Sequence, residues 1–142
     1  MSAPDRLQEE VAKYCNCYHI NPAFQISERF DIERDLTAYY PNSNSAGCYA
    51  VYTGSGELLY IGKASNKHVM GFRLGNIWKL NADKTAYITK KDWGDKKPQI
   101  IRAIPVNEPY EAPSLEEFLI MKLQPPCNTI GRTKRDTASD AD

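Results

Sequence analysis

Apolar and polar positions alternate most regularly between Gly47 and Lys63. Gly47-Cys48-Tyr49-Ala50-Val51-Tyr52-Thr53 and Leu58-Leu59-Tyr60-Ile61-Gly62-Lys63 flank the polar stretch Gly54-Ser55-Gly56-Glu57. Two short apolar runs around a glycine-containing turn predict a β-hairpin. With Gly54-Ser55 as a two-residue turn, Val51 faces Leu58 and Tyr49 faces Tyr60. A period of two then puts Tyr49, Val51, Leu58 and Tyr60 on one face. Cys48, Ala50, Leu59 and Ile61 fall on the other, which reads as core. A loop one residue longer would separate the tyrosines, so this pairing is conditional on the turn type.

The flanks follow a helical period more than a strand period. Leu7, Val11, Tyr14, Cys15 and Tyr18 predict an amphipathic helix over residues 4–19, ended by Asn21-Pro22. A weaker helix is expected from Ser27 to Tyr39, capped by Ser27, with Phe30 and Leu36 partly buried. After the polar loop 41–45, the hairpin opens a region that residues 1–46 precede as a helical N-terminal extension. Asn66 to Leu80 reads as a helix burying Met70, Leu74, Ile77 and Trp78, with Arg73 bordering that stripe. Gly71 and Gly75 are unfavourable inside it, and either close approach of another group or a break explains them. Tyr87-Ile88-Thr89 and Ile100–Ile104 read as strands, joined by a basic loop carrying an exposed Trp93. Pro113 and Ser114 open a last helix with Leu115, Phe118, Leu119 and Leu123 inward, stopped by Pro125-Pro126. Residues 131–142 form a small polar tail, expected to be disordered.

Composition narrows the class. The chain of 142 residues, 42% apolar and 25% charged, suits a soluble globular domain. No apolar run approaches the roughly 20 residues of a membrane span. The N-terminus lacks an apolar signal region, so a cytoplasmic protein with reduced cysteines is expected. Cys15-x-Cys17-x-His19 invites a zinc reading, but no second ligand pair accompanies it and a helix points Cys15 and Cys17 apart.

Charge adds an asymmetry that a net charge of zero hides. Residues 62–104 hold ten Lys/Arg against three Asp/Glu, whereas residues 1–46 hold four against seven. A localised positive field suits a phosphate-bearing partner, and a solvated lysine-rich face is the plain alternative.

Gly47-Cys48-Tyr49, ten residues, then Tyr60-Ile61-Gly62-Lys63 resembles the two-part signature of the GIY-YIG nucleases. Arg73 resembles that family's arginine. Glu116-x-x-Leu119-Ile120 followed by Pro125-x-x-Asn128 resembles its acidic helix and closing asparagine. The resemblance covers about residues 47–130 and is similar to the N-terminal incision domain of the bacterial excision-repair nuclease and to stand-alone members. Cys48 stands where isoleucine is usual, and the loop Ala64–Val69 should be enlarged. Leu80 to Ile100 matches no pattern of the family.

The resemblance implies an α+β fold, a small antiparallel β-sheet flanked by helices. It also implies hydrolysis of DNA phosphodiester bonds with one Mg²⁺, or Mn²⁺, held by Glu116. Tyr49 would be the general base, Tyr60 would position it or the water, and Arg73 would stabilise the phosphoryl group. Lys63 would add positive field favouring a phenolate, and Gly47, Gly62 and Asn128 would be structural. The residue types suit these tasks. A carboxylate is the hard ligand Mg²⁺ prefers, and a guanidinium matches phosphoryl oxygens. Ser114 and Glu117 fit a capping box, which leaves Glu116 for the metal. Lys67, Lys90, Lys91, Lys96 and Lys97 are candidates for contact with the DNA backbone, and Trp93 for stacking on a base. Each role has a plainer counterpart: a cross-strand aromatic pair, a solvated lysine, a helix-dipole carboxylate, a half-buried core tryptophan. A catalytically silent nucleic-acid-binding or protein-interaction module on the same fold is the alternative function. Residues 1–46 could meet a protein partner.

Overall fold

The alternating segments assemble into a four-stranded antiparallel sheet with side chains buried on both faces. The computed structural model describes residues 6–35, 38–65, 69–89 and 91–128. In chain order these form α1 (Arg6–Cys17), β1 (Phe30–Asp31), β2 (Gly47–Thr53), β3 (Leu58–Ala64), α2 (Met70–Ile77), β4 (Trp78–Leu80), β5 (Tyr87–Thr89), β6 (Pro98–Pro105) and α3 (Glu111–Leu123). The main sheet runs β1-β6-β2-β3, and β4 pairs with β5 in a separate two-stranded ribbon. This is an α+β fold of antiparallel sheets flanked by helices. No helix among the described residues is long and apolar enough to cross a membrane.

Strand periodicity divides the core in two. Cys48, Ala50, Ile61 and Ile104 point to one side, where they meet Leu7, Val11, Tyr14 and Cys15 of α1 and Leu115, Leu119 and Ile120 of α3. Tyr49, Val51, Ile101 and Ala103 point to the other, against Met70 and Leu74 of α2 and the indoles of Trp78 and Trp93. Hence α1 shares a core with α3, and a hydrogen bond from Tyr14 Oη to Ser114 Oγ (2.7 Å) ties the two helices.

The hairpin register departs from expectation by two steps of one residue each, in the same direction. Thr53 N–H bonds to Glu57 O (2.9 Å) and Gly56 N–H to Thr53 O (3.1 Å). The loop is therefore one residue longer than predicted, and Gly56 takes the left-handed conformation it needs (φ 103°). A bulge then shifts pairing between Val51 and Tyr52. Tyr49 consequently lies opposite Gly62 and Tyr60 opposite Val51. A shift of two residues preserves the face, so the phenols remain on one side as diagonal neighbours. Leu58 and Leu59 exchange sides instead. Leu58 packs against the α1–α3 cluster and Leu59 joins Tyr49.

Other expectations are corrected. Among the described residues, the segment expected as a helix from Ser27 to Tyr39 is not helical. Ser27 N–H bonds to Ala103 O and Ser27 Oγ accepts from Ala103 N–H (each 2.8 Å), which feeds Phe30–Asp31 into the sheet beside β6. There the backbone partners come from β6, and Asp31 ties down the following turn by accepting from Glu33 N–H (2.9 Å). Phe30 is fully rather than partly buried. The helix expected up to Leu80 stops at Ile77, and Trp78–Leu80 becomes strand β4 paired with β5. Gly71 has a packing reason: a Cβ there would press on Ser43, whose carbonyl accepts Gly71 N–H (2.8 Å). Gly75 faces open space. The last helix starts at Glu111 rather than at Ser114, and Glu111 Oε1 accepts Glu108 N–H (2.7 Å) at its start. Ser114 and Glu117 therefore form no capping box. Leu36, Asn66, Lys67, Lys90 and residues 129–142 lie outside the described residues.

Candidate functional site

Tyr49 and Tyr60 meet on the α2 side of the sheet with ring centroids 6.2 Å apart. Tyr49 is only 2% exposed, whereas Tyr60 is half-buried. The cross-strand neighbour of Tyr49 is Gly62, and a methyl group there would overlap Tyr49 Cζ and Oη. Absence of a side chain at 62 is thus what lets the Tyr49 ring lie across β3. At Gly47 a Cβ would run into Ile104 O and the Pro105 backbone, so this glycine admits β6 alongside β2.

Arg73 and Glu116 bring charge to the phenols, whereas Lys63, paired across from Cys48, brings its charge to Glu116 and to neither phenol. Arg73 comes from α2, Glu116 from α3 and Lys63 from β3. Burial pushes the Tyr49 phenol well above its ordinary range; Tyr60 and Glu116 add to this and Arg73 opposes it. Burial also raises Tyr60, with Glu116 in the same direction and Arg73 and a hydrogen bond from Tyr49 against it. The Glu116 carboxyl is raised by burial first, and lowered by Lys63 and Arg73. These influences link Tyr49, Tyr60, Arg73 and Glu116 to one another, and Lys63 joins them only through Glu116. The positive field does not dominate: burial outweighs it at both phenols. Arg73 is exposed rather than bordering the buried stripe, because Met70 and Leu74 take the inward positions of α2. Among the described residues the side chains of Glu116, Arg73 and Lys63 make no ion pair or hydrogen bond.

Asn128 secures the open edge of β3. Its Oδ1 accepts Ile61 N–H and its Nδ2 donates to Ile61 O, both at 2.9 Å and both buried. Cys127 N–H adds a bond to Leu59 O (2.8 Å). The segment after α3 therefore satisfies backbone groups that an edge strand would otherwise expose.

The basic region separates into unlike parts. Trp93 is buried, 6% exposed, and stacks on Trp78 with centroids 5.5 Å apart and planes at 17°. It also meets Tyr60 edge-on at 5.9 Å. A base cannot stack on an indole already covered on one face and closed from solvent, so Trp93 is a core residue and not a stacking platform. Lys96 pairs with Glu57 (3.1 Å) and Lys97 with Glu33 (2.7 Å). Lys91 sits 4.3 Å over the Tyr60 ring.

A metal would find one carboxylate here. No group of three or more His, Cys, Asp or Glu able to hold an ion occurs among the described residues, and Cys15 is buried while Cys17 is exposed. A protein cage of the zinc or calcium kind does not fit. Glu116 does fit Mg²⁺, which keeps several waters and binds through one or two carboxylates plus substrate phosphate. It is half-buried, without a hydrogen-bonding partner among the described residues, and its raised pKa reflects a charge that a cation would offset. No family model matches the chain, and no curated protein or solved structure matches it.

The packing of loop 91–97 against the tyrosine pair is what sequence reasoning missed. Trp93 and Lys91 belong against Tyr60, and only the high aromatic and basic content of an unmatched stretch hinted at it.

Proposed function

We propose that this chain is a Mg²⁺-dependent endonuclease of the GIY-YIG type, hydrolysing phosphodiester bonds in DNA. One observation carries the reading. Tyr49 and Tyr60 lie side by side with ring centroids 6.2 Å apart, both feel the charges of Arg73 and Glu116, and Lys63 acts on Glu116, so that four elements contribute to one region. The small antiparallel sheet flanked by helices suits the fold that the resemblance implies.

Tyr60 is the phenol water can reach, so it accepts the proton of the attacking water, and Tyr49, packed beside it, fixes its ring. This exchanges the two roles expected from sequence. Arg73, exposed and unpaired among the described residues, holds a phosphoryl oxygen as charge builds in the transition state. Glu116 would hold the cation, which when bound supplies Lewis-acid stabilisation of the departing oxygen. Lys63 limits the cost of the Glu116 charge beforehand. Asn128 keeps β3, and with it Tyr60, in place.

The same burial favours a second reading, a catalytically silent nucleic-acid-binding or interaction module on this fold. It keeps both phenols protonated at neutral pH in the free protein. A panel of linear, nicked, flapped and single-stranded DNA, plus RNA, incubated with Mg²⁺, Mn²⁺ or EDTA separates the two. The nuclease reading requires metal-dependent cleavage of at least one DNA substrate and its loss in Glu116→Gln with binding retained. Binding without cleavage under every condition selects the silent module.

A further inference from the structure

We propose that Lys91 binds a backbone phosphate of the nucleic-acid strand beside the tyrosine pair, held there by a brace that Trp78, Trp93 and Thr89 form. The placement beside a scissile phosphate rests on the nuclease reading; the phosphate contact itself does not.

Lys91 is held directly over one ring of the tyrosine pair. Its Nζ lies 4.3 Å from the Tyr60 ring centroid and 5.4 Å from that of Trp93. Both ends of the short segment are pinned to one hydroxyl. Thr89 Oγ1 accepts Lys91 N–H and Trp93 Nε1–H, each at 3.2 Å. Trp93 is in turn stacked on Trp78, whose ring is buried against the sheet. Such a brace fixes the direction of a side chain that would otherwise explore many rotamers.

The charge of Lys91 is also free where that of its neighbours is not. Lys96 and Lys97 are each matched by a carboxylate, Glu57 and Glu33. The Lys91 ammonium has no ion pair or hydrogen bond among the described residues. Asp92, next to it, instead accepts Gly94 N–H (2.8 Å) within its own turn. Contact with π faces leaves N–H directions of an ammonium unused, and a compact point charge with three donors suits a phosphate oxygen. Cation–π contact thus positions Lys91 without consuming it.

The test is a salt titration of fluorescent duplex binding, read by anisotropy in EDTA so that nothing is cleaved. Parent, Lys91→Met, Lys91→Arg and Lys96→Met are compared. Removing one phosphate contact lowers the slope of log K against log[salt] by about 0.9. Lys91→Met should show that loss, Lys91→Arg should retain the slope, and Lys96→Met should change it by less than about a third of that amount. Unaltered tryptophan emission in Lys91→Met establishes that the Trp78–Trp93 brace is intact. If emission does change, Thr89→Val, which loosens the brace and keeps the charge, must weaken duplex binding while losing less slope than Lys91→Met, and an equal loss of slope in the two overturns the proposal. An unchanged slope in Lys91→Met, or an equal loss in Lys96→Met, overturns the proposal. Displacement of the duplex by inorganic phosphate better than by chloride at matched ionic strength also overturns it, in favour of a free-anion site. A parent that binds through Lys91 but never cleaves leaves this contact standing and removes the nuclease reading. A parent that cleaves while Lys91→Met keeps its slope does the reverse.

Discussion

Asn128→Ala isolates the energetic worth of closing the β3 edge. The substitution removes both buried 2.9 Å hydrogen bonds to Ile61 and leaves one N–H and one C=O without a partner. Each unsatisfied buried group costs about 1–3 kcal/mol, and water entering the vacated space recovers part of it. The expected loss is about 2–4 kcal/mol. For a chain of this length, at roughly 4 °C per kcal/mol, Tm should fall by about 8–16 °C. Urea unfolding followed by circular dichroism gives the same quantity from the shift in midpoint. Asn128→Asp sharpens the reasoning because its carboxylate can accept from Ile61 N–H but cannot donate to Ile61 O. Burial beside a carbonyl raises the folded pKa of that carboxyl, so the folded state binds the proton more tightly than the unfolded state. Relative to the parent, Asn128→Asp should therefore gain stability as pH falls through the folded pKa toward about 3.9. A loss below about 0.5 kcal/mol in Asn128→Ala, or a flat pH difference in Asn128→Asp, would refute the role assigned to this side chain.

Three further outcomes are expected. Gly62→Ala should destabilise by about 1–3 kcal/mol through overlap with the Tyr49 ring. In a Tyr49→Ala background the same change should cost less than about 0.5 kcal/mol, a coupling that a denaturation double-mutant cycle measures. Asp31→Ala should cost roughly 1 kcal/mol at neutral pH by freeing Glu33 N–H, Arg34 N–H and the Gln99 amide. Burial pushes the Asp31 carboxyl up, but those hydrogen bonds outweigh it and the net shift is downward. Its contribution is therefore present above about pH 3.9 and lost as pH falls through the folded pKa, so unfolding curves of parent and variant should converge in acid. Because burial raises Tyr60, its phenolate is scarce at neutral pH, and cleavage should rise about tenfold per pH unit between pH 7 and 9. A pH-independent rate there would remove Tyr60 as the base.

Most of the architecture was legible because burial on two faces of a sheet and on one face of a helix writes distinct periods. The α1 positions Leu7, Val11, Tyr14 and Cys15 and the α3 positions Leu115 and Leu119 show it. The hairpin was legible in outline but not in register. Gly56 rather than Gly54 takes the left-handed position of the loop, and a bulge at Leu59 has no period of its own. The shared face of Tyr49 and Tyr60 survived because loop and bulge each shift the pairing by one, which restores parity. Gly62 was marked by its motif, while its physical reason, the Tyr49 ring lying over it, needed the observed register. Segment 27–35 was misread because short β1 has too few residues to show alternation, and its hydrogen bonds come from β6, seventy residues away or so in roughly the way any edge strand finds a distant partner. Trp93 was misread for a related reason. A single aromatic in a basic stretch looks exposed until Trp78 and Tyr60 arrive beside it.

In the proposed reaction Tyr60 and Glu116 act together in cleaving a phosphodiester. Nicking of supercoiled plasmid in Mg²⁺ by the parent, Tyr60→Phe and Glu116→Ala, with DNA binding followed in parallel, tests it directly. The parent should convert supercoiled to open-circular DNA, and both variants should bind but fail to nick. Nicking that survives in both variants, or a parent inert in Mg²⁺ and in Mn²⁺, would contradict the account.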